Sequence, residues 1–375
     1  MAEHKPRVLF VSRERMRLPL DETQRRKWDA IGAVLDHRIL AAAAPGSPLR
    51  DARIRLWPRI RPPLLDGPVF YLALPGRLAA ALRTVDPDAV LVQGVHEAAE
   101  LLAVRRLTNS RARVILDVQG DWHAATRLYG SRARRLLDPV GDAIGAGVVR
   151  RVDGIRTLSA FTSSVVRACG AEPTGEFPPF VDAAAFLAPP LEALPAVPTA
   201  LFVGVLERYK GFDTLASAWP RVASAVPGAV LHVVGRGTLA PLARELVRGG
   251  ARWTEAVDAA GVAVAMDAST LLCLPSRAEG LGRVVLEAMC RGRSVVGGRA
   301  GGIQDLVADG VNGRLADPDD PRRLADALVA VLGDPGLAAR LGAAARRTGE
   351  EWSVTPEQYA ERLASVIRVV LGRST

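Results

Sequence analysis

Cysteine is nearly absent: Cys169, Cys273 and Cys290 are the only three, an odd number without metal-ligand spacing. That excludes a disulfide-stapled scaffold and a zinc ribbon, and the three read as reduced core residues of a cytosolic chain. No stretch approaches the ~18–20 uninterrupted apolar residues of a membrane-spanning helix. Val8–Val11, the first apolar run, is too short for a signal-peptide core. Internal repeats and low-complexity tracts are missing too. No Gly-x-Gly-x-x-Gly follows the first strand-like run, which excludes a classical NAD-binding domain at the N-terminus. Lysine is the scarcest charge. Only Lys5, Lys27 and Lys210 occur, and the other 46 basic residues are arginine. A lysine kept in such a background points to a site that wants a compact ammonium.

What is present is globular. A chain of 375 residues with 49% hydrophobic and 24% charged positions suffices for two domains of ordinary size. Residues 1–151 hold 26 Lys and Arg against 16 Asp and Glu, and the rest is close to neutral. A basic half can face anionic lipid headgroups or a polyanionic acceptor, or be a solvated Arg-rich surface. The arginines are scattered and no aromatic-rich motif accompanies them, so no nucleic acid partner is expected.

The stretch with the most chemistry is Pro275–Glu287. Before it lies Thr270–Leu274, a short run apolar enough for a strand buried on both faces, and after it Ser294–Val296 has the same character. Arg283–Cys290 between them has good helix formers and no Gly or Pro. Strand, glycine turn, helix and strand leave helix N-terminal N–H groups at a strand's carboxyl end, a ready anion site. A phosphate there could take the N–H groups of Gly280, Leu281 and Gly282. Glu287, one and a half turns into the helix, is placed to accept from ribose hydroxyls, and Glu279 faces whatever follows the diphosphate.

The string Ser-x-x-Glu-Gly-x-Gly-x-x-x-x-Glu-Ala-Met at Ser276–Met289 resembles the signature of retaining glycosyltransferases of the GT-B fold, glycosyltransferase family 4 above all. The resemblance continues through Gly301–Val307 and Asp309–Gly313, strongly over residues 199–375 and weakly over 1–190. It implies an α/β chain of GT-B type: two Rossmann-like domains with parallel sheets facing a central cleft. Residues 1–187 would form the acceptor-side domain, 199–353 the nucleotide-sugar-binding domain, and 354–375 a helix crossing back to the first. It implies a metal-independent enzyme without a cofactor. The donor would be a UDP- or GDP-linked sugar and the acceptor a glycan or a lipid-linked glycan. The basic first half and the few cysteines add the expectation of a cytoplasmic protein in peripheral contact with anionic membrane. Two alternatives stay open: a GT-B nucleotide-sugar 2-epimerase, and a catalytically degenerate nucleotide-sugar-binding subunit.

In chain order, residues 7–11 predict a first strand, followed by a basic loop at Ser12–Arg17. Asp21–Leu35 predicts a helix and Ile39–Ala43 a strand. Pro58–Pro75 reads as a core segment, with a membrane-touching lip beside Arg59 and Arg61 as the alternative. Asp88–Gln93 and Val114–Val118 predict strands whose carboxyl ends carry Gln93, His96, Gln119, Asp121 and His123. Relatives place a sugar-contacting histidine where Gln119 stands, so Gln119 and His123 are the candidates for that role. Arg127–Arg135 carries four arginines before a helix to about Val149, and Ala188–Pro198 predicts an interdomain linker. After the strand Ala200–Gly204, the resemblance puts Lys210 on the donor diphosphate, with Arg208 replacing an arginine that relatives have at the position of Val205. Gly204, Gly235 and Gly237 are expected to face the nucleotide. Asp320-Pro321, Asp334-Pro335 and Thr355-Pro356 predict capped helix starts near the C-terminus.

Overall fold

The computed structural model describes residues 5–60, 63–124, 138–187 and 191–372, without the side chains of residues 63 and 64. The Arg127–Arg135 cluster, Arg61 and the first part of the expected linker lie outside them. The chain divides into two compact units, Met1–Phe180 with Thr355–Thr375, and Val181–Val354.

The first unit is built on seven parallel strands in the order β3-β2-β1-β4-β5-β6-β7. They are β1 (Arg7–Met16), β2 (Asp36–Ala43), β3 (Ile54–Trp57), β4 (Ala89–Gln93), β5 (Arg113–Val118), β6 (Gly154–Thr157) and β7 (Gly175–Glu176). The continuous apolar runs Val8–Val11, Val90–Val92 and Val114–Leu116 lie in the sheet centre, where helices cover both faces. Sequence order reverses between β1 and β4, so a crevice opens outside their carboxyl ends. Helices α1 (Glu22–Val34), α2 (Pro63–Val85), α3 (Val95–Leu107), α4 (Asp138–Val149) and α5 (Ala160–Ala168) follow the strands. Ser159 caps α5 in a reciprocal box with Thr162.

The basic stretch after Val11 is not a loop: β1 runs on to Met16, with Arg15 and Met16 paired to Ala42 and Ala43 after a register shift. Most of Pro58–Pro75, expected as a core segment, is the first half of α2, which carries Pro68 and Pro75 inside. Phe70, Leu74 and Leu78 of α2 are buried, while Leu72 is 83% exposed.

The second unit has six parallel strands in the order β10-β9-β8-β11-β12-β13. They are β8 (Thr199–Val203), β9 (Val230–Val234), β10 (Arg252–Thr254), β11 (Leu271–Leu274), β12 (Ser294–Gly298) and β13 (Gly313–Ala316). Order again reverses at the centre, between β8 and β11. Helices α7 (Phe212–Ala225), α8 (Ala240–Arg248), α9 (Ala259–Asp267), α10 (Arg283–Cys290), α11 (Ile303–Leu306), α12 (Pro321–Leu332) and α13 (Pro335–Trp352) enclose it, after the short α6 (Ala184–Leu187). Asp320 and Asp334 cap α12 and α13, each with Pro at the first helical turn. The unit begins at Val181 because Val181, Ala183 and Phe186 join its core. The buried Arg293 guanidinium donates to Glu192 O at 3.1 Å, so that part of the expected linker lies against this unit.

The last helix, α14 (Pro356–Gly372), belongs to the first unit and packs on α1. Tyr359, Leu363, Val366, Ile367 and Val370 form its buried face. Among the described residues no single helix is long and apolar enough to cross a membrane.

Candidate functional site

In the second unit, the loops after β8 and β11 leave adjacent strands at the point where sheet order reverses. The β8 loop ends in a 3-10 turn, Arg208–Lys210, closed by Gly211 at φ 67°. A Cβ on Gly211 would lie 1.9 Å from the carbonyl oxygen of Pro275, so the two loops meet backbone against backbone. This contact brings the Lys210 ammonium onto the Glu279 carboxylate, with both side chains largely buried. Ser276, fully buried, donates its hydroxyl to the same Glu279 oxygen at 3.0 Å. The Lys210 ammonium also lies 5.2 Å from the Tyr209 ring centroid.

Arg277 fastens this loop pair. Its guanidinium reaches Asp213 of α7 at 2.7 Å, Asp319 at 2.7 Å and the Thr214 hydroxyl at 2.9 Å, and donates to the Arg208 carbonyl. Arg208 itself projects into solvent, 3.4 Å from Asp213. Its backbone is held by Arg277 while its side chain is exposed. Ser276 and Arg277 stood inside the recognised string without an assigned role. Asp213 and Thr214 carried no local signal, because Arg277, which they hold, lies some 64 positions away in the chain.

The helix after this turn, α10, starts on Gly282 at φ 86° with no side-chain cap. The Gly280 side of the turn is braced from behind, since Gly302 N donates to Glu279 O at 2.9 Å. Leu281 contributes only backbone to the surface, its side chain being buried. Glu287, on α10, is largely withdrawn from water. Burial pushes its carboxyl up to about 7, against the opposing pull of Arg283 one turn earlier. Gly235 and Gly237 serve a second purpose beyond any ligand. A Cβ on Gly235 would fall 1.8 Å from Gly204 O, and one on Gly237 2.4 Å from Leu206 O. Gly204, Gly235 and Gly237 therefore let two neighbouring loops lie against each other.

In the first unit, the carboxyl end of β5 carries a buried hub. Asp117 accepts from the Arg156 guanidinium at 2.8 Å and from the amides of Gln93 and Gln119. Arg156 is 1% exposed; it also donates to the carbonyls of Phe177 and Pro178. Its guanidinium lies 4.3 Å from the Phe177 ring centroid. Gln119 is thus on the surface but tied to Asp117. His123 is held differently: Nδ1 is 2.8 Å from Asp121 and Nε2 is 3.6 Å from Asp142 of α4. His96 is exposed and stays apart from this group, with its ring near Tyr71.

The structure therefore brings together Lys210, Glu279, Arg208 and the Gly280–Gly282 turn in one unit, and Gln119 with the Asp121–His123 pair at the end of one strand in the other.

Residues 197–334 match the family model described as glycosyl transferases group 1. The chain is 35% identical over 193 residues to phosphatidyl-myo-inositol mannosyltransferase of Mycolicibacterium smegmatis, covering 49% of this chain and 50% of that protein. It is 32% identical over 176 residues to the GDP-mannose-dependent alpha-(1-6)-phosphatidylinositol monomannoside mannosyltransferase of the same organism, 44% and 45% of the two chains. The matches span about half the length of these relatives. Among solved structures, sucrose-phosphate synthase of Thermosynechococcus elongatus superposes with a TM-score of 0.78 at 19% identity, covering 99% of this chain and 100% of that one. HepE of Anabaena in complex with UDP-glucose gives 0.70 at 17% identity, over 96% and 99%. The fold is α/β of the GT-B type, and the glycosyltransferase sequence pattern lies in the second unit.

Proposed function

We propose that this chain is a retaining glycosyltransferase that moves a sugar from a nucleoside-diphosphate donor to a glycan or lipid-linked acceptor. The observation that carries the reading is the Lys210–Glu279 pair, held with Ser276 at the reversal point of the sheet whose sequence matches group 1 glycosyltransferases. An ammonium, a nearby arginine and an uncapped helix start are what a leaving diphosphate needs for charge neutralisation without a metal.

The second unit takes the donor. Lys210 and Arg208 hold the diphosphate, each charge-assisted hydrogen bond contributing ~1.5–3 kcal/mol. Glu287 accepts from the ribose hydroxyls, and Glu279 orients the sugar. The bond between the anomeric carbon and the diphosphate oxygen breaks, an acceptor oxygen bonds to that carbon from the same face, and the acceptor proton passes to the leaving phosphate. Gln119 and His123 are the first unit's own candidates for contact with a sugar. Relatives named for GDP-mannose and solved neighbours holding UDP make both bases candidates for the donor.

Glu279 engages the Lys210 ammonium, so it competes with a diphosphate for it. Calorimetric titration with UDP, GDP and ADP tests the reading, with and without chelator. One base is expected to bind, unaffected by chelator, and Lys210→Ala is expected to weaken the diphosphate at least tenfold and the nucleoside hardly at all. Glu279→Gln is expected to keep or tighten diphosphate binding while slowing transfer. Equal loss of nucleoside and diphosphate in Lys210→Ala would remove the diphosphate role. Tight binding without turnover would favour the nucleotide-sugar-binding subunit.

A further inference from the structure

The first unit has a cavity away from Gln119 and His123. It lies at the carboxyl ends of β1, β2 and β3 as a solvent-open cleft with a cavity volume of about 50 Å³. Four arginines line it: Arg13 and Arg15 from the extension of β1, Arg59 from the segment after β3, and Arg77 from α2. One carboxylate, Asp66, shares the lining and pairs with Arg15 at 3.4 Å. Asp66 is further engaged by the backbone N–H of Ile60 at 2.8 Å. Among the described residues Arg13, Arg59 and Arg77 have no carboxylate partner, so the cavity carries a net positive charge.

Two of these guanidinium groups are held in place by rings. Arg13 lies 4.9 Å from the Phe70 centroid and 5.1 Å from that of Tyr71, and donates to the Tyr71 hydroxyl at 3.2 Å. The hydroxyl in turn donates at 3.1 Å to Glu97, a buried residue of α3. Arg77 lies 5.3 Å from the Trp57 centroid, and Trp57 and Phe70 are themselves 4.6 Å apart. A guanidinium stacked on an aromatic face keeps its N–H fork free for a planar or tetrahedral anion and loses little freedom on binding. Arg13, Arg59 and Arg77, without a carboxylate partner among the described residues, repel one another, an arrangement that a bound anion relieves.

We propose that this arginine cavity is a phosphate-binding site, and that the phosphate belongs to the acceptor. The assignment to the acceptor rests on the transferase reading; phosphate binding itself does not. The phosphate has two possible sources, a soluble phosphorylated sugar or polyol and a phospholipid headgroup. Leu65, Val69 and Leu72 lie at i, i+4 and i+7 on α2 and are exposed, an apolar stripe that would meet lipid only in the second case.

The test is a calorimetric titration of the full chain with inorganic phosphate at low ionic strength. It is done on the Lys210→Ala background, so that the donor-side ammonium does not add a second event. One saturable site is expected, weakened about tenfold by Arg77→Gln and by Arg59→Gln. Arg59 is exposed and stacks on no ring, so it serves even where loss of Arg77 from Trp57 unsettles the fold. Arg167→Gln, on the helix after β6 at the other side of the sheet, is expected to change nothing. No saturable binding, or equal weakening by Arg167→Gln, would overturn the proposal. Displacement of phosphate by phosphatidylcholine vesicles containing phosphatidylinositol, but not by phosphatidylcholine alone, identifies the headgroup, and Leu72→Ser should then weaken vesicle binding alone. Displacement by glycerol 3-phosphate, with vesicles inert, identifies a soluble acceptor. UDP and GDP titrations of Arg59→Gln in the otherwise unchanged chain keep the two readings apart. If no nucleotide binds while phosphate does, the transferase reading fails and the cavity stands.

Discussion

The carboxyl ends of the two sheets are built by different means. In the second unit, loops touch through backbone: Gly211 against Pro275, Gly235 against Gly204, Gly237 against Leu206. In the first, the corresponding ground is held by side chains. Gln93 and Gln119 join the buried Asp117–Arg156 pair in one network, and Gly94 and Gly145 make room for the side chains of Glu97 and Trp122. A backbone contact at such distances admits one residue type at one position, so it leaves a readable pattern of glycines. A side-chain network can be rebuilt from other residues that satisfy the same donors and acceptors. This difference fits the reach of the family model, which covers residues 197–334 and none of the first unit. It also fits the proposed division of labour, in which one unit recognises an invariant diphosphate and the other an acceptor that varies.

The largest effect should come from breaking the side-chain network. Arg156→Met leaves Asp117 buried without its ion partner, and loss of one member of a buried pair costs about 3–5 kcal/mol. Urea denaturation should register this, and a change under about 1 kcal/mol would mean that the amides of Gln93 and Gln119 suffice for Asp117. The matching break in the backbone-built unit is Gly235→Ala. Its Cβ would fall on the Gly204 carbonyl at a φ of 150°, for a cost of roughly 3 kcal/mol. Unchanged stability there would show that the two loops part easily, and the contrast between the units would dissolve.

Burial raises Glu287 from 4.5 to about 7, so the folded chain holds a proton that the unfolded chain releases. Stability from this group is full below pH 4.5 and declines as pH rises toward 7, by at most about 3 kcal/mol. Glu287→Gln should remove that decline. If Glu287 accepts from ribose, nucleoside binding to the parent chain should strengthen as pH rises through about 7, because the acceptor form is the carboxylate. A pH-independent nucleoside affinity would take Glu287 out of the donor site. The smallest effect is expected at Arg221–Asp326, an exposed pair between α7 and α12, whose loss should cost about 0–1 kcal/mol and vanish in salt.

Much of this was legible in residue order. Continuous apolar runs marked the buried parallel strands, Asp and Thr before proline marked the helix starts, and Glu279 and Glu287 lay in one string. Lys210 stood out because lysine is so rare here. Those signals are local: a strand's burial, a cap and a tight turn are each set by residues within a few positions of one another. What only the tertiary structure decided lies at long range. Local pattern ended β1 at Val11, whereas its pairing with β2 carries it to Met16 and sets Arg13 and Arg15 beside Arg59 and Arg77. Local composition could not say that Pro68 and Pro75 would sit inside a helix that lays Phe70 and Leu74 on the core. Nor could it pair Asp117 with Arg156, Arg277 with Asp213, or Lys210 with Glu279, whose partners lie 39, 64 and 69 positions apart. The order of strands in a sheet determines which carboxyl ends become neighbours, and no periodicity along the chain encodes that order.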